Sequence, residues 1–233
     1  MVENIKEFSI AGLIPAGGVG ERLGLGPKAF LKIGGKSLLK IVVSNISKFV
    51  DRVLVGVPSD FVEKAKKEAE EKAEIYPGGK SRQETIKILF QKTKEDIILV
   101  HDVVRPFASE ELIKKVIDGA KKFGVCGVFI PSHLPVFLFQ DNFVISSLPS
   151  KGILHPQSPQ AFRREILERA FRFADENFLV EQTLYELILK IGEKIYWIRG
   201  EETNIKITTP FDFEIAKKVF SPIFKNKRRR NGN

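Results

Sequence analysis

Cysteine is nearly absent. Cys126 is the only one in 233 residues, and it sits in the apolar run "GVCGVFIP", where a small buried hydrophobe is the ordinary use of that residue. A disulfide framework and a cysteine metal site are both excluded. Histidine is almost as scarce, at three. His133 and His155 lack metal-ligand spacing and read as structural, and no Ser/His/Asp order points to a covalent nucleophile. No stretch of 18 apolar residues occurs, and "MVENIKEFSI" at the start has neither a long apolar run nor a small-residue cleavage site. A soluble, cytoplasmic protein with no membrane segment is therefore expected.

What is present in quantity is apolar residues, at 43%, and positive charge, at +9. The apolar content of a chain this long supports a full core, and one domain over residues 1–222 is expected. Lys225, Lys227, Arg228, Arg229 and Arg230 stand together in "FKNKRRRNGN", so the body before them carries only +4. Residues 223–233 read as a basic, solvated, disordered tail, with weak binding to nucleic acid or an anionic surface as the alternative. The body suits an anionic small substrate.

Short β-rich runs alternate with segments of helical period. "FSIAGLIP" precedes 37–49, "RVLVGVP" precedes 59–72, "AEIYP" precedes 81–91, "DIILVHD" precedes 109–122, and "GVCGVFIP" follows. This rhythm predicts an α/β, Rossmann-like, mostly parallel sheet with helices on both faces and ligands beyond the carboxyl ends of the strands. Helix starts are expected at Asp60 with Glu63, at Ser81 with Glu84, and at Thr209-Pro210 with Asp212. The rhythm breaks at 133–150, where "FLFQDNFVISSL" predicts two strands around Gln140-Asp141-Asn142. That inserted hairpin arm exposes apolar residues, which a partner subunit would cover.

The stretch "LIPAGGVGERLGLGPKAFL" places glycine at 17, 18, 20, 24 and 26 and then Lys28. Each glycine gives up about 1 kcal/mol of backbone entropy relative to alanine. A bound phosphate is the candidate gain: the N–H groups of Ala16, Gly17, Gly18 and Gly20 would converge on its oxygens, with Arg22 and Lys28 supplying charge. A plain tight turn is the other reading. Neither a Walker A loop nor a dinucleotide fingerprint fits, because Lys28 is followed by Ala29 and the third glycine is misplaced.

Three further segments could carry chemistry. In "LVHDVVRPF" an apolar strand ends at His101-Asp102, so Asp102 is placed to hold Mg²⁺ through one carboxylate, or simply to cap a turn. Arg105 suits an anion contact or a salt bridge. In "PGGKSRQETI", Gly78 and Gly79 precede a capped helix, and the pair suits close approach to a base or ribose, or an ordinary turn. In "NIKITTP", 204–210 reads as a short strand with Lys206 opposite Ile205 and Ile207, where a solvent-facing lysine is the ordinary reading.

Taken together and in this order, "IPAGGVGERLGLGPKAFL", "GGKSRQET", "HDVVRPF", "QSPQAF" and "NIKITTPFDF" resemble the 2-C-methyl-D-erythritol 4-phosphate cytidylyltransferases of the non-mevalonate isoprenoid pathway. The resemblance covers nearly the whole chain. It implies the nucleotidyltransferase fold, with triphosphate held by Pro15, Ala16, Gly17, Gly18, Gly20, Arg22 and Lys28, and cytosine read at Gly79 with Thr85 completing the pocket. It implies Mg²⁺ on Asp102 and Lys206 steadying the pentavalent phosphorus. The acceptor half departs from the family's pattern: Leu134-Pro135 and Pro149-Ser150 stand where the family has Asp-Thr and Asp-Arg. Lys151, Ser158 and Arg105 are left as acceptor-binding candidates. The implied reaction moves CMP from CTP onto a phosphopolyol, 2-C-methyl-D-erythritol 4-phosphate or another such as ribitol 5-phosphate, in a homodimer joined by the arm. A non-catalytic nucleotide- or nucleic-acid-binding protein is the rival of another class.

Overall fold

The computed structural model describes residues 8–18 and 26–220. In chain order its elements are β1 Ile10–Pro15, the two-residue β2 Lys32–Ile33 and β3 Lys36–Ser37, α1 Leu38–Ile46, β4 Arg52–Val57, α2 Val62–Ala69, β5 Glu74–Pro77, α3 Arg82–Phe90 and β6 Ile97–Val100. There follow α4 Glu110–Phe123, β7 Val125–Pro131, β8 Val136–Gln140, β9 Phe143–Leu148, β10 Leu154–Arg163, α5 Arg164–Glu176, α6 Leu184–Lys190, β11 Tyr196–Arg199 and α7 Pro210–Ile215. Seven strands form one sheet in the order β11-β7-β10-β6-β1-β4-β5. Only β10 runs against its neighbours, so the sheet is mostly parallel, as the βαβ rhythm predicts.

The strands are apolar on both sides because both faces are covered. Along β6, Ile97 and Leu99 face one core with α1 and α4, while Ile98 and Val100 face the other with α3, α5 and α6. In β4, Val53, Val55 and Val57 join the first core and Leu54 the second. Burying each such side chain contributes about 1.5–3 kcal/mol. Gly12, midway along β1, is required by packing, since a Cβ there would lie 2.8 Å from Ile46 Cγ2. Helix α4 shows how local sequence sets an end: the Ser109 hydroxyl accepts from the Leu112 N–H at 3.0 Å, and Gly124 follows the last turn at φ 86°. Glu110 and Glu111 lie in its first turn and Lys121 and Lys122 in its last, each matching the helix dipole.

Three local expectations change. Asp60 does not cap α2: Phe61 N–H bonds to the Pro58 carbonyl in a 3-10 turn, the helix starts two residues beyond Asp60, and Glu63 pairs with Lys66 instead. At α3 only half of the capping box forms, because Ser81 Oγ accepts from the Glu84 N–H while the Glu84 carboxylate turns to the Lys80 N–H. Thr209 with Asp212 makes the full box behind Pro210. Residues 204–210 form no strand. Ile207 N–H does bond to the Val104 carbonyl, and Ile207 is buried while Lys206 is exposed, so the in-out alternation holds without a ladder.

The hairpin is a separate two-stranded ladder from Val136 to Leu148, turning at Asp141-Asn142 with Asp141 at φ 52°. Phe139 and Phe143 are each 75% exposed, and Phe137 and Ile145 are exposed with them. The tail, 223–233, lies outside the described residues. No described helix is long and apolar enough to cross a membrane.

Candidate active site

β1 pairs with β4 on one side and β6 on the other, so the segments leaving these strands diverge at its carboxyl end. A crevice opens at such a point in open α/β sheets. Here it is a cavity of about 470 Å³ whose walls include Gly17, Gly18, Lys28, Gly79, Asp102 and Lys206. Four segments distant in sequence, around 17–28, 79, 102 and 206, therefore share one cleft.

Asp102 forms its floor. It stands two residues past β6, and its N–H donates to Ser158 Oγ at 3.0 Å. Its Oδ1 accepts from Arg82 Nε at 2.9 Å, and Lys206 Nζ lies 3.5 Å from Oδ2. Burial alone would raise the carboxyl's pKa, but Arg82 and Lys206 hold it well below the usual carboxylate range. The group is therefore an anion at any physiological pH, clasped between two cations.

The glycine loop enters from β1. The Ala16 N–H, expected to meet a phosphate, instead extends the strand pairing by bonding to the Gly56 carbonyl at 2.7 Å. Gly17 and Gly18 do line the cleft, as does Pro15. The two ends of the loop are tied, Lys28 N–H reaching the Gly18 carbonyl at 3.3 Å while Lys28 Nζ reaches the Thr208 carbonyl at 3.3 Å. Gly20 and Arg22 lie outside the described residues.

Opposite the loop, Thr85 fixes the double-glycine turn from behind. Its buried Oγ1 accepts the Gly79 N–H at 3.0 Å and donates to the Ser81 carbonyl at 2.9 Å. A Cβ on Gly79 would lie 2.4 Å from Glu84 Cγ, and one on Gly56 would lie 2.4 Å from Thr85 Cγ2. Bare backbone is thus what lets this wall sit so tightly.

The acceptor candidates do not gather in the cleft. Ser158 is buried behind Asp102. Arg105 forms no ion pair within 4.0 Å among the described residues; its guanidinium donates to the carbonyls of Asn204 at 2.6 Å and Pro156 at 3.2 Å, a strut between two chain segments. Lys151 is exposed in the turn joining β9 to β10.

Can the floor take a divalent cation? No group of three or more His, Cys, Asp or Glu gathers among the described residues. A protein cage is therefore lacking among the described residues, but one anionic carboxylate lining the cleft fits Mg²⁺, which commonly binds through one carboxylate, waters and substrate phosphates.

The family model described as 2-C-methyl-D-erythritol 4-phosphate cytidylyltransferase (IspD) matches residues 10–221. This chain belongs to that family. It is 32% identical over 207 residues to the 2-C-methyl-D-erythritol 4-phosphate cytidylyltransferase of Deinococcus radiodurans, spanning 89% of this chain and 88% of the relative. It superposes on the crystal structure of the Thermus thermophilus cytidylyltransferase with a TM-score of 0.78 at 29% identity, covering 93% of this chain and 99% of the other. The Francisella tularensis enzyme gives a TM-score of 0.78 at 26% identity, over 89% and 98%. The fold is accordingly that of the IspD nucleotidyltransferases.

Within this cleft, Arg82 stands inside "GGKSRQET" without a role that the local pattern assigns. One signal was available: it opens α3, and a cation in the first turn of a helix opposes the dipole, so its position calls for an anion. Asp102 is that anion, 2.8 Å from Arg82 Nη2.

His101, next to Asp102, is fully buried, and its Nε2 donates to the Arg105 carbonyl at 2.9 Å. Burial holds its pKa down at about 4. An unfolded histidine titrates near 6.5, so the unfolded chain binds more protons between those values. Stability is therefore expected to fall as pH drops from about 6.5 to about 4. Melting temperatures across that range check this, and a His101→Gln variant should show a flatter slope.

Proposed function

We propose that this chain transfers CMP from CTP onto 2-C-methyl-D-erythritol 4-phosphate and releases pyrophosphate, a step of isoprenoid precursor synthesis. The observation that carries the reading is the Asp102–Lys206 pair, 3.5 Å apart at the floor of a glycine-walled cleft at the topological switch point. Family membership and the chemistry of these side chains support it together.

In this reading the acceptor phosphate oxygen attacks the α-phosphorus in line, and the chain supplies position and charge rather than a nucleophile. Gly17 and Gly18 receive the triphosphate with Lys28, and Gly20 and Arg22 join them on the strength of the resemblance. Gly79 and Thr85 form the base pocket. Lys206, carried on an exposed side chain, turns toward the non-bridging oxygens as charge grows there. Mg²⁺ would be held by Asp102 and would neutralise phosphate charge when bound. Arg82 then has a second task, since it can pass from Asp102 to a phosphate. A cytoplasmic reaction is part of this proposal.

The test is pyrophosphate release from CTP with a panel of acceptors, 2-C-methyl-D-erythritol 4-phosphate and ribitol 5-phosphate among them. The first should give the highest kcat/KM. A preference for ribitol 5-phosphate would reassign the acceptor, and no release with any acceptor would remove the reading.

The arm belongs to the same proposal. An isolated hairpin is marginal in water, and this one exposes Phe137, Phe139, Phe143 and Ile145. A second copy of the chain is the cover we propose, making a homodimer. Lys151, at the base of the arm, then meets the acceptor phosphate of the neighbouring subunit as a point charge. Light scattering at micromolar concentration should give a dimer. Lys151→Ala should raise the acceptor KM about tenfold, the scale of one charge-assisted hydrogen bond, with the KM for CTP nearly unchanged.

A further inference from the structure

Lys206 has an unusual support. The segment from Gly200 to Thr208 belongs to no strand, yet it must hold an ammonium group 3.5 Å from Asp102. Beside the Arg105 bond to the Asn204 carbonyl and the Ile207 N–H bond to the Val104 carbonyl, one side-chain amide stands in for a strand ladder. Gln157 Nε2 donates to the Glu201 carbonyl at 3.0 Å, and its Oε1 accepts from the Glu201 N–H at 3.2 Å and from Asn204 Nδ2 at 3.3 Å. The amide thus pairs with the Glu201 backbone as a neighbouring strand would. Gly200 is shaped for this contact, since a Cβ there would lie 2.4 Å from Gln157 Oε1.

The next residue closes the circuit. Asn204 Nδ2 also donates to the Ser158 carbonyl at 2.8 Å, while Ser158 Oγ receives the Asp102 N–H. Gln157 and Ser158, adjacent in β10, therefore anchor both partners of the pair: Lys206 through its loop and Asp102 through its backbone. A buried amide paired at both its oxygen and its nitrogen rigidifies the segment it holds. Gln157 is 8% exposed and takes no part in the cleft wall.

We infer that Gln157 is a positioning residue for Lys206, setting where the ammonium group stands relative to the α-phosphorus, with Gly200 as its required neighbour. The inference rests on the reading of Lys206 given above. Gln157→Leu keeps the bulk and loses every bond of the amide. Misplacement of a reacting group by about 1 Å costs about 10²-fold, so kcat should fall on that scale while the dissociation constant for CTP stays within about twofold of wild type, because Lys206 acts on the transition state. Gln157→Glu keeps the two accepted bonds but sets a carboxylate oxygen against the Glu201 carbonyl that Nε2 serves, so it should recover little or none of the lost turnover. Gly200→Ala should reproduce the defect in a chain that retains Gln157, and adding it to Gln157→Leu should cost far less than it does alone.

A second readout does not depend on any acceptor. Acetylation of Lys206 by an amine-reactive reagent, followed by mass spectrometry, should be slowed by MgCTP in the wild type and much less so in Gln157→Leu. Failure of the wild type to turn over any phosphopolyol would defeat the proposed reaction while leaving this protection measurement to judge the positioning role. Wild-type kcat in both Gln157→Leu and Gly200→Ala, or unchanged protection of Lys206, would overturn the inference. So would a loss of CTP binding and melting temperature in step with kcat, which marks a purely structural role.

Discussion

Lys206→Ala and Asp102→Asn should each lower kcat by at least about 10²-fold, the scale for losing one preorganised charged group at a reacting centre. Lys206 is 45% exposed at its side chain, so its removal disturbs no packing, and the melting temperature should stay close to wild type. The KM for CTP should move little, because the interaction is made mainly as charge develops at phosphorus. Asp102→Asn differs in one respect: it leaves Arg82 and Lys206 facing a neutral amide, so some stability is lost along with turnover. Steady-state kinetics beside thermal melts check both. Near-normal turnover in either variant would remove the roles proposed for the pair.

CTP should protect the chain against heat far better than ATP. The base pocket proposed here is a glycine turn that Thr85 Oγ1 ties down through the Gly79 N–H at 3.0 Å, and a turn held in this way has little room to yield to a purine. At a CTP concentration 100 times its dissociation constant the linkage term is about 2.7 kcal/mol, which for a domain of this size raises the melting temperature by about 5–10 °C. ATP at the same concentration should give a small fraction of that. Thr85→Val keeps the shape but leaves the Gly79 N–H without its 3.0 Å acceptor, so the CTP shift should shrink. Equal shifts with CTP and ATP would contradict the base assignment.

How much of this was legible in the residues varies with what holds each part. β1, β4, β6 and β7 were plain, because strands buried on both faces write themselves as unbroken apolar runs. Asp102 was marked by its place after such a run, and Lys28 by the glycine loop. Lys206 was ambiguous on its own, since the alternation around it is genuine but belongs to a loop pinned by Gln157 and Arg105 from elsewhere in the chain. Arg82 went unassigned because its partner lies 20 residues on and across the sheet. Asp60 looked like a cap and is not one, as the turn at Pro58 delays the helix. β11 carried no rhythm, being a four-residue edge strand with Tyr196 and Trp197 half exposed. Local pattern was readable wherever burial imposed it; contacts between distant segments were not.

The central claim is transfer of CMP from CTP to an acceptor phosphate, and ³¹P NMR of the reaction mixture tests it most directly. With chain, CTP, Mg²⁺ and 2-C-methyl-D-erythritol 4-phosphate, a mutually coupled pair of diphosphate resonances should grow as the acceptor monoester signal declines, with pyrophosphate appearing in equal amount. Pyrophosphate together with free CMP, or a spectrum that does not change, would contradict it.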